Sequence, residues 1–478
     1  MSTLASALFL LSPALHPAVI PSLDRFDDGR VWVFFDDHGL GNDARRADAL
    51  QDAEDALGER AAQRRRARRT APGLVDTRDL PLCETYVQRI EDLGATVHVR
   101  SRWLNAISVR ATLDQARVIS TLEFVDRVEP VRRGTRLEAV PVRDARPILA
   151  PDDAGFHGLT FDQLDQIGIA SLHDLDGLHG QGMVIGVLDT GFELTHDVFN
   201  NPDHPIDVLD AWDFVDDDPI VGIEAGDDPD QHAHGTCVLS TIAGYLPGTF
   251  VGGAWGASFV LAKTEDITQE VPMEEDQYVA GLEFIEAHGA DVATSSLGYI
   301  AWYTFDDLDG LTAVTTIAVN IATSNGLVCV TAAGNGGSDG DLPSLIAPAD
   351  AFEVITCGAV NSLGQTADFS SRGPTADGRV KPEILARGES TACIDPYSTD
   401  GYVGASGTSL STPLIASGAA LMLQRHPVWS VGRVRKQLFS TAGDFVMTGT
   451  FDPAYIRGYG VANFDAAIRP QIGGRRLP

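Results

Sequence analysis

Positive charge is scarce in this sequence. Lys and Arg together number 35 against 67 Asp and Glu, a formal net charge of −32. A surface this acidic excludes a nucleic-acid partner, because a phosphate backbone demands a basic face. Cysteine is scarce too. Five Cys are an odd number, so they cannot all pair with one another. Cys329 and Cys357 lie inside apolar runs, as buried thiols do. Long apolar runs are missing. No segment reaches the ~20 apolar residues that a membrane-spanning helix needs, so no transmembrane anchor is expected. The first stretch, Leu4–Leu11, is apolar but lacks a basic start, and small residues follow at Ser12 and Ala14. Residues 1–20 are therefore read as a possible signal segment.

What is present is a chain of 478 residues, long enough for more than one domain and a large core. Val31–Phe35 reads as a strand. Residues 43–70, rich in Ala, Arg, Glu and Asp, read as an exposed helix, and its basic cluster (Arg64, Arg65, Arg66, Arg68, Arg69) as a solvated helix end. From 84 to 132, apolar residues fall at helical, then alternating, then helical spacing, and a strand closes the run. With Val31–Phe35 the order is strand, helix, strand, strand, helix, strand, the ferredoxin-like order. Residues 138–154 carry Pro141, Pro147 and Pro151 with little apolar pattern, and read as a linker. From about 155 the pattern changes. Met183–Leu188 is a continuous apolar run, as in a parallel strand buried on both faces. Similar runs recur at Phe259–Leu261, Asp291–Thr294, Leu327–Thr331 and Glu353–Val360, with helical stretches such as Tyr278–His288 and Thr312–Ser324 between them. Strands alternating with helices predict an α/β fold with a doubly wound parallel sheet.

Four residues stand where such a fold carries chemistry, beyond the carboxyl ends of strands or at helix starts. Asp189 ends the first buried run. His234 opens an apolar helix. Asn335 follows another buried run. Ser409 lies in the Gly-rich stretch Gly404–Pro413, just before an apolar helix. Alone, each has a plainer reading. Ser at a helix start is usually a cap, His there is usually structural, and Asn before Gly is usually a turn. Four such residues, each where a doubly wound fold carries its active-site edge, are far harder to ascribe to coincidence.

The motifs Asp189-Thr190-Gly191, His234-Gly235-Thr236, Ser296-Leu297-Gly298, Ala333-Gly334-Asn335 and Gly407-Thr408-Ser409-Leu410-Ser411-Thr412-Pro413 resemble those of the subtilisin-like serine proteases. Ser370–Pro374 and Lys381-Pro382-Glu383 match as well. The resemblance covers about 160–465. It implies a subtilisin-like peptidase domain at 155–470 and an inhibitory pro-segment at 21–137, with an inserted helix, joined by the linker 138–154. It implies a serine endopeptidase acting through an acyl-enzyme and made as a self-processing precursor. Asp189, His234 and Ser409 would be catalytic. Asn335 would be the oxyanion donor, and Ser296, Leu297, Gly298, Ala333 and Gly334 would bind substrate. Its expected partners are protein or peptide substrates and its own pro-segment; the expected state is a monomer, secreted or extracytoplasmic.

No cofactor is required by this reading, though structural calcium is open. The acidic runs Asp216–Asp218 and Asp227, Asp228, Asp230 match no known calcium-loop spacing and are expected to be solvated loops. Two departures stand out: Leu410 where Met is frequent, and Ala386-Arg387-Gly388 where Ala-Pro-Gly is common. Cys237, one helical turn past His234, is expected to be an inert buried thiol, and His232 a surface residue. Two rivals remain: an acid-active sedolisin-type peptidase, which has a carboxylate where His234 stands, and a catalytically dead peptide-binding member, which would need a broken site.

Overall fold

Val31, Val33 and Phe35 share one face of a strand because successive side chains alternate, and that face builds a core with Val87, Ile90, Ile107, Val109, Ala116, Ile119 and Val128. The computed structural model describes residues 14–25, 29–131, 133–134, 146–148, 155–267, 273–299, 303–337 and 343–469. Most of the possible signal segment and most of the linker 138–154 lie outside the described residues. The chain divides into two units, Met1–Ala56 with Val75–Arg132, and Leu57–Leu74 with Arg133–Pro478.

The first unit opens with α1 (Val19–Arg25), β1 (Arg30–Phe35) and α2 (Asp43–Asp55). The next helix, α3 (Glu59–Arg68), belongs to the second unit. The first unit resumes with α4 (Glu84–Glu91), β2 (Thr96–Ser101), β3 (Ala106–Arg110), α5 (Leu113–Ile119) and β4 (Val125–Pro130). Its sheet runs β2-β3-β1-β4, and every pairing is antiparallel. This is the ferredoxin-like order expected from the sequence. A capping box between Thr112 and Gln115 starts α5.

In the second unit come β5 (Arg133–Gly134), β6 (Arg146–Pro147), α6 (Phe161–Asp165), α7 (Ile169–Asp176), β7 (Val184–Asp189), β8 (Asp207–Asp213), α8 (Ala233–Ala243), β9 (Tyr245–Leu246) and β10 (Phe250–Val251). They are followed by β11 (Ser258–Lys263), β12 (Met273–Glu274), α9 (Glu275–Ala287), β13 (Val292–Ser295), α10 (Val314–Ser324), β14 (Val328–Ala332), β15 (Ile355–Val360), β16 (Ile384–Arg387), β17 (Thr391–Ile394), β18 (Tyr402–Ala405) and α11 (Thr408–Arg425). Seven strands form one parallel sheet in the order β16-β15-β14-β13-β7-β11-β8. The central strands are buried on both faces, which is why their sequences are continuously apolar. The edge strand β8 is partly exposed and acidic, so it carries no such signature. Helix α11 is buried from Thr408 to Leu423, and its apolar residues surround it rather than forming one stripe.

The basic stretch at 60–69 departs from expectation. It is a separate helix, α3, and three of its arginines are not solvated, while Arg60 and Arg66 stay exposed. Arg64, Arg65 and Arg68 are buried and pair with Glu286 and Asp291 of the second unit. The pattern of a charged surface helix is misleading here, because Arg is buried when its planar fork finds carboxylates.

Candidate active site

Asp189 ends β7 at the carboxyl edge of the sheet, between the neighbours β13 and β11. There the strand order reverses: the chain goes from β7 outward to β8 and β11, then returns to the other side. Such a switch point leaves a crevice beyond the strand ends. Asp189 is wholly buried, and one carboxylate oxygen accepts the Thr190 N–H at 2.8 Å. Gly235 lets α8 come close. A Cβ there would lie 2.3 Å from the Gly191 carbonyl oxygen and 2.9 Å from the Asp189 Cβ, contacts that real side chains do not make. The result is a bond of 2.6 Å between His234 Nδ1 and Asp189 Oδ1. A carboxylate only accepts, so the ring carries its proton on Nδ1 and keeps Nε2 as an acceptor.

Ser409 is the second residue of α11. The turn before it depends on Gly407, at φ 155° and ψ 156°, a region essentially limited to glycine. Pro413 sits four residues past Ser409 inside the helix and has no N–H to give the Ser409 carbonyl. The Ser296 hydroxyl supplies the missing donor at 2.8 Å. In return the Ser409 hydroxyl donates to the Ser296 carbonyl across a longer 3.3 Å. The Ser-to-Pro spacing of the motif therefore creates an open acceptor, and a residue over a hundred positions away fills it.

One small cavity is lined by His234, Ser296, Leu297, Gly298, Ala332, Gly334, Asn335, Ile346, Thr408 and Ser409. The Asn335 side-chain oxygen accepts from the Thr408 N–H at 2.8 Å and from its hydroxyl at 2.9 Å. That fixes which end of the amide is engaged and leaves the NH₂ group as the donor. Ala333 is not in the lining. Its N–H donates to Cys357, and its carbonyl accepts from Ile346. Thr408 and Ile346 were not singled out from the sequence. Thr408 lay inside a quoted motif. Ile346 carries no local signal, and reaches the site because Gly298 and Gly334 leave room against its side chain.

Other candidates fall away from the chemistry. His232 is buried rather than on the surface, with Nε2 3.1 Å from the Pro396 carbonyl; the apolar packing of α8 carries it inward. Cys237 is a free thiol buried against Leu410 and Cys393, and a hydrogen bond with the Cys393 thiol together with burial pushes its pKa well up. A raised pKa suppresses the thiolate, in keeping with the buried thiol expected from the sequence. Among the described residues, Asp213, Asp218 and Glu224 bring carboxylates together, the donor type calcium takes. The cluster does not fit a cation well, because Lys263, also buried, pairs with Asp213 at 2.6 Å and lies 3.7 Å from Asp216 and 3.4 Å from Asp227. Burial alone would lower the Lys263 pKa, but these carboxylates hold it above its ordinary value. An ammonium group thus serves where a metal would. No helix among the described residues is long and apolar enough to cross a membrane.

The Subtilase family model matches residues 180–461, and the model of the Peptidase S8 propeptide domain, Bacteroidota, matches 30–143. The chain is 33% identical to Subtilisin of Bacillus pumilus over 310 residues, 64% of this chain and 98% of that protein. It is 34% identical to Subtilisin E of Bacillus subtilis (strain 168) over 283 residues. That match covers 58% of this chain and 65% of the length of Subtilisin E. Among solved structures, fervidolysin from Fervidobacterium pennivorans, a keratinolytic enzyme related to subtilisin, aligns with a TM-score of 0.62 at 21% identity, over 93% of this chain and 61% of that one. At that identity the likeness shows the fold. The family match, spanning more than half of the chain and coinciding with the unit that holds this site, shows that the chain belongs to the subtilase family.

Proposed function

We propose that this chain is a serine endopeptidase made as a self-processing precursor. Ser409 is the nucleophile, His234 the base and then the acid, and Asp189 the carboxylate that holds the ring. The observation that carries the reading is the 2.6 Å bond between His234 Nδ1 and Asp189, in a site where His234 and Ser409 line one cavity. Neutral Ser is a poor nucleophile. His234 Nε2 takes its proton as the hydroxyl attacks a peptide carbonyl, and returns that proton to the leaving amine. The resulting acyl-enzyme is then hydrolysed by water with the same residues. The Asn335 NH₂ group and the Ser409 N–H face the oxyanion. Ser296-Leu297-Gly298 receives the substrate backbone as an added strand, with Gly298, Gly334 and Ile346 bounding the side-chain pocket. Such walls suit an apolar residue before the scissile bond.

His234, where a sedolisin-type enzyme has a carboxylate, favours a neutral-to-alkaline optimum, since imidazolium cannot accept the Ser409 proton. Self-processing is supported by the propeptide match and by the chain after it. Arg133–Gly134 already pairs antiparallel with Met273–Glu274, as an extended peptide would. Cleavage is expected between roughly 135 and 160, and export with the pro-segment belongs to the same reading. The test is labelling with a serine-reactive fluorophosphonate, followed by mapping of the labelled peptide and N-terminal sequencing. Label on the Ser409 peptide and a new N-terminus lost in Ser409→Ala are expected. Active protein that takes no label at Ser409 would overturn the assignment.

A further inference from the structure

Helix α3 lies, by sequence, inside the stretch that matches a propeptide, yet it is built into the catalytic unit. It docks where α9 and α10 end. The last carbonyls of a helix lack intrahelical donors and carry the negative end of its dipole. Arg64 Nη1 donates to the carbonyls of Glu286 at 3.0 Å and Ala290 at 2.8 Å, and its Nε to that of Asn325 at 3.4 Å. Its other nitrogen donates to the Glu286 carboxylate. Arg65 grips the same carboxylate with two bonds of 2.9 Å. Both arginine side chains and Glu286 are at most 2% exposed. Farther along, Arg60 and Arg68 share Asp291. The backbone is shaped for this. A Cβ on Gly289 would lie 2.4 Å from that of Arg60, and one on Gly326 2.7 Å from that of Arg68.

The same contacts reach the sheet. Asp291 Oδ2 also accepts the Val184 N–H at 3.1 Å, and its carbonyl accepts the Val328 N–H. Asp291 therefore ties together the starts of β7, β13 and β14. These are strands whose far ends lead to Asp189, Ser296 and Asn335.

We propose that residues 57–74 remain bound to the catalytic unit as a permanent arginine helix after the rest of the pro-segment is severed. The surface at the ends of α9 and α10 is a receptor for this one segment of the chain. Removing α3 would break its pairs with Glu286 and Asp291 and its bonds to three helix-end carbonyls all at once. The flanks are open to cutting: α2 buries no residue, and Pro72 and Gly73 are exposed. The biological setting rests on the processing reading above, but the test does not.

Full-chain Ser409→Ala protein, which cannot cut itself, is digested under native conditions by an added broad-specificity protease. The folded body is isolated by size exclusion at high salt, and its peptides are identified by mass spectrometry. A peptide containing 59–68 in a one-to-one ratio with the body is expected. A folded body lacking that peptide would overturn the proposal, whatever the fluorophosphonate result. In the Arg64→Gln, Arg65→Gln double variant, retention should weaken roughly 100-fold or more. Unchanged retention would also overturn it, and because the parent digest alone decides the first point, a double variant that fails to fold does not protect the idea.

Discussion

Two buried carboxylates sit at opposite edges of one sheet and do opposite things. Asp189, at the carboxyl end of β7, is wholly buried and holds a histidine at 2.6 Å. Asp291, just before β13, receives the start of β7 and two arginines from α3. The difference is the partner. A histidine can take up and release a proton, which the proposed chemistry at this edge requires. Arginine never loses its proton near neutral pH, so the structural edge is charged permanently. Buried charge is expensive in both places. At one edge the cost is tied to chemistry, and at the other it fixes one arrangement of helices and strands.

The comparison breaks hardest at the catalytic edge. Ser409→Ala should lower kcat by ~10⁶, the loss known for subtilisin itself, because the three side chains act as a unit. Steady-state kinetics on protein matured by an added protease, parent and variant alike, checks this, and residual turnover above about one per cent would contradict it. Asp189→Asn should preserve the fold but lower kcat by about 10⁴, since an amide can hold the wrong tautomer of His234. A milder loss would mean that Thr190 and the walls of the cavity orient the ring without Asp189.

At the structural edge the effects should be on stability and not on chemistry. Glu286→Gln removes the carboxylate shared by Arg64 and Arg65 and leaves two buried guanidinium groups facing a neutral amide. Breaking a buried pair in this way costs about 3–5 kcal/mol. Denaturant titration of Glu286→Gln in the Ser409→Ala background should show that loss. In the active background, kcat at a temperature where the protein is folded should be unchanged. A drop in kcat without loss of stability would mean that the two edges are coupled through β7 and β13.

These two edges were not equally legible. The catalytic edge is written in short local motifs, because chemistry demands particular side chains at strand ends. The buried strands could be read for the same reason that they are buried: a strand covered on both faces leaves no polar position. Edge strand β8 escaped, since Asp207, Asp210 and Asp213 break any apolar run. Helix α3 misled, because a run of Arg looks like a solvated face until Glu286 and Asp291, more than two hundred residues away, are brought against it. The tie between Asn335 and Thr408 is of the same kind. Both residues lay in recognised motifs, but which amide atom is engaged depends on a contact spanning 73 positions.

The smallest effect belongs to a third buried pair, intermediate between the two. Lys381 is 1% exposed and lies 2.9 Å from Glu383, which also receives Arg435. Its ammonium donates to Thr356 Oγ1 at 3.0 Å and to the Val354 carbonyl at 3.3 Å. Burial lowers its pKa to about 8, the attraction of Glu383 opposing that shift. Unlike Arg64, it can therefore lose its proton while the protein is folded. An unfolded lysine titrates near 10.4. Between pH 8 and 10 the unfolded chain thus binds more protons at this position than the folded one, so this group's contribution to stability rises with pH. Below pH 8 both states are charged and the folded state bears the full cost of burial. The gain across the window is about 2–3 kcal/mol at most. Lys381→Met keeps the apolar stem and removes the titration. The stability of the parent relative to Lys381→Met, measured by denaturant titration in the Ser409→Ala background, should climb from pH 8 to pH 10. A flat difference across that range would mean that Glu383 keeps Lys381 charged throughout and that this pair behaves like the arginine helix.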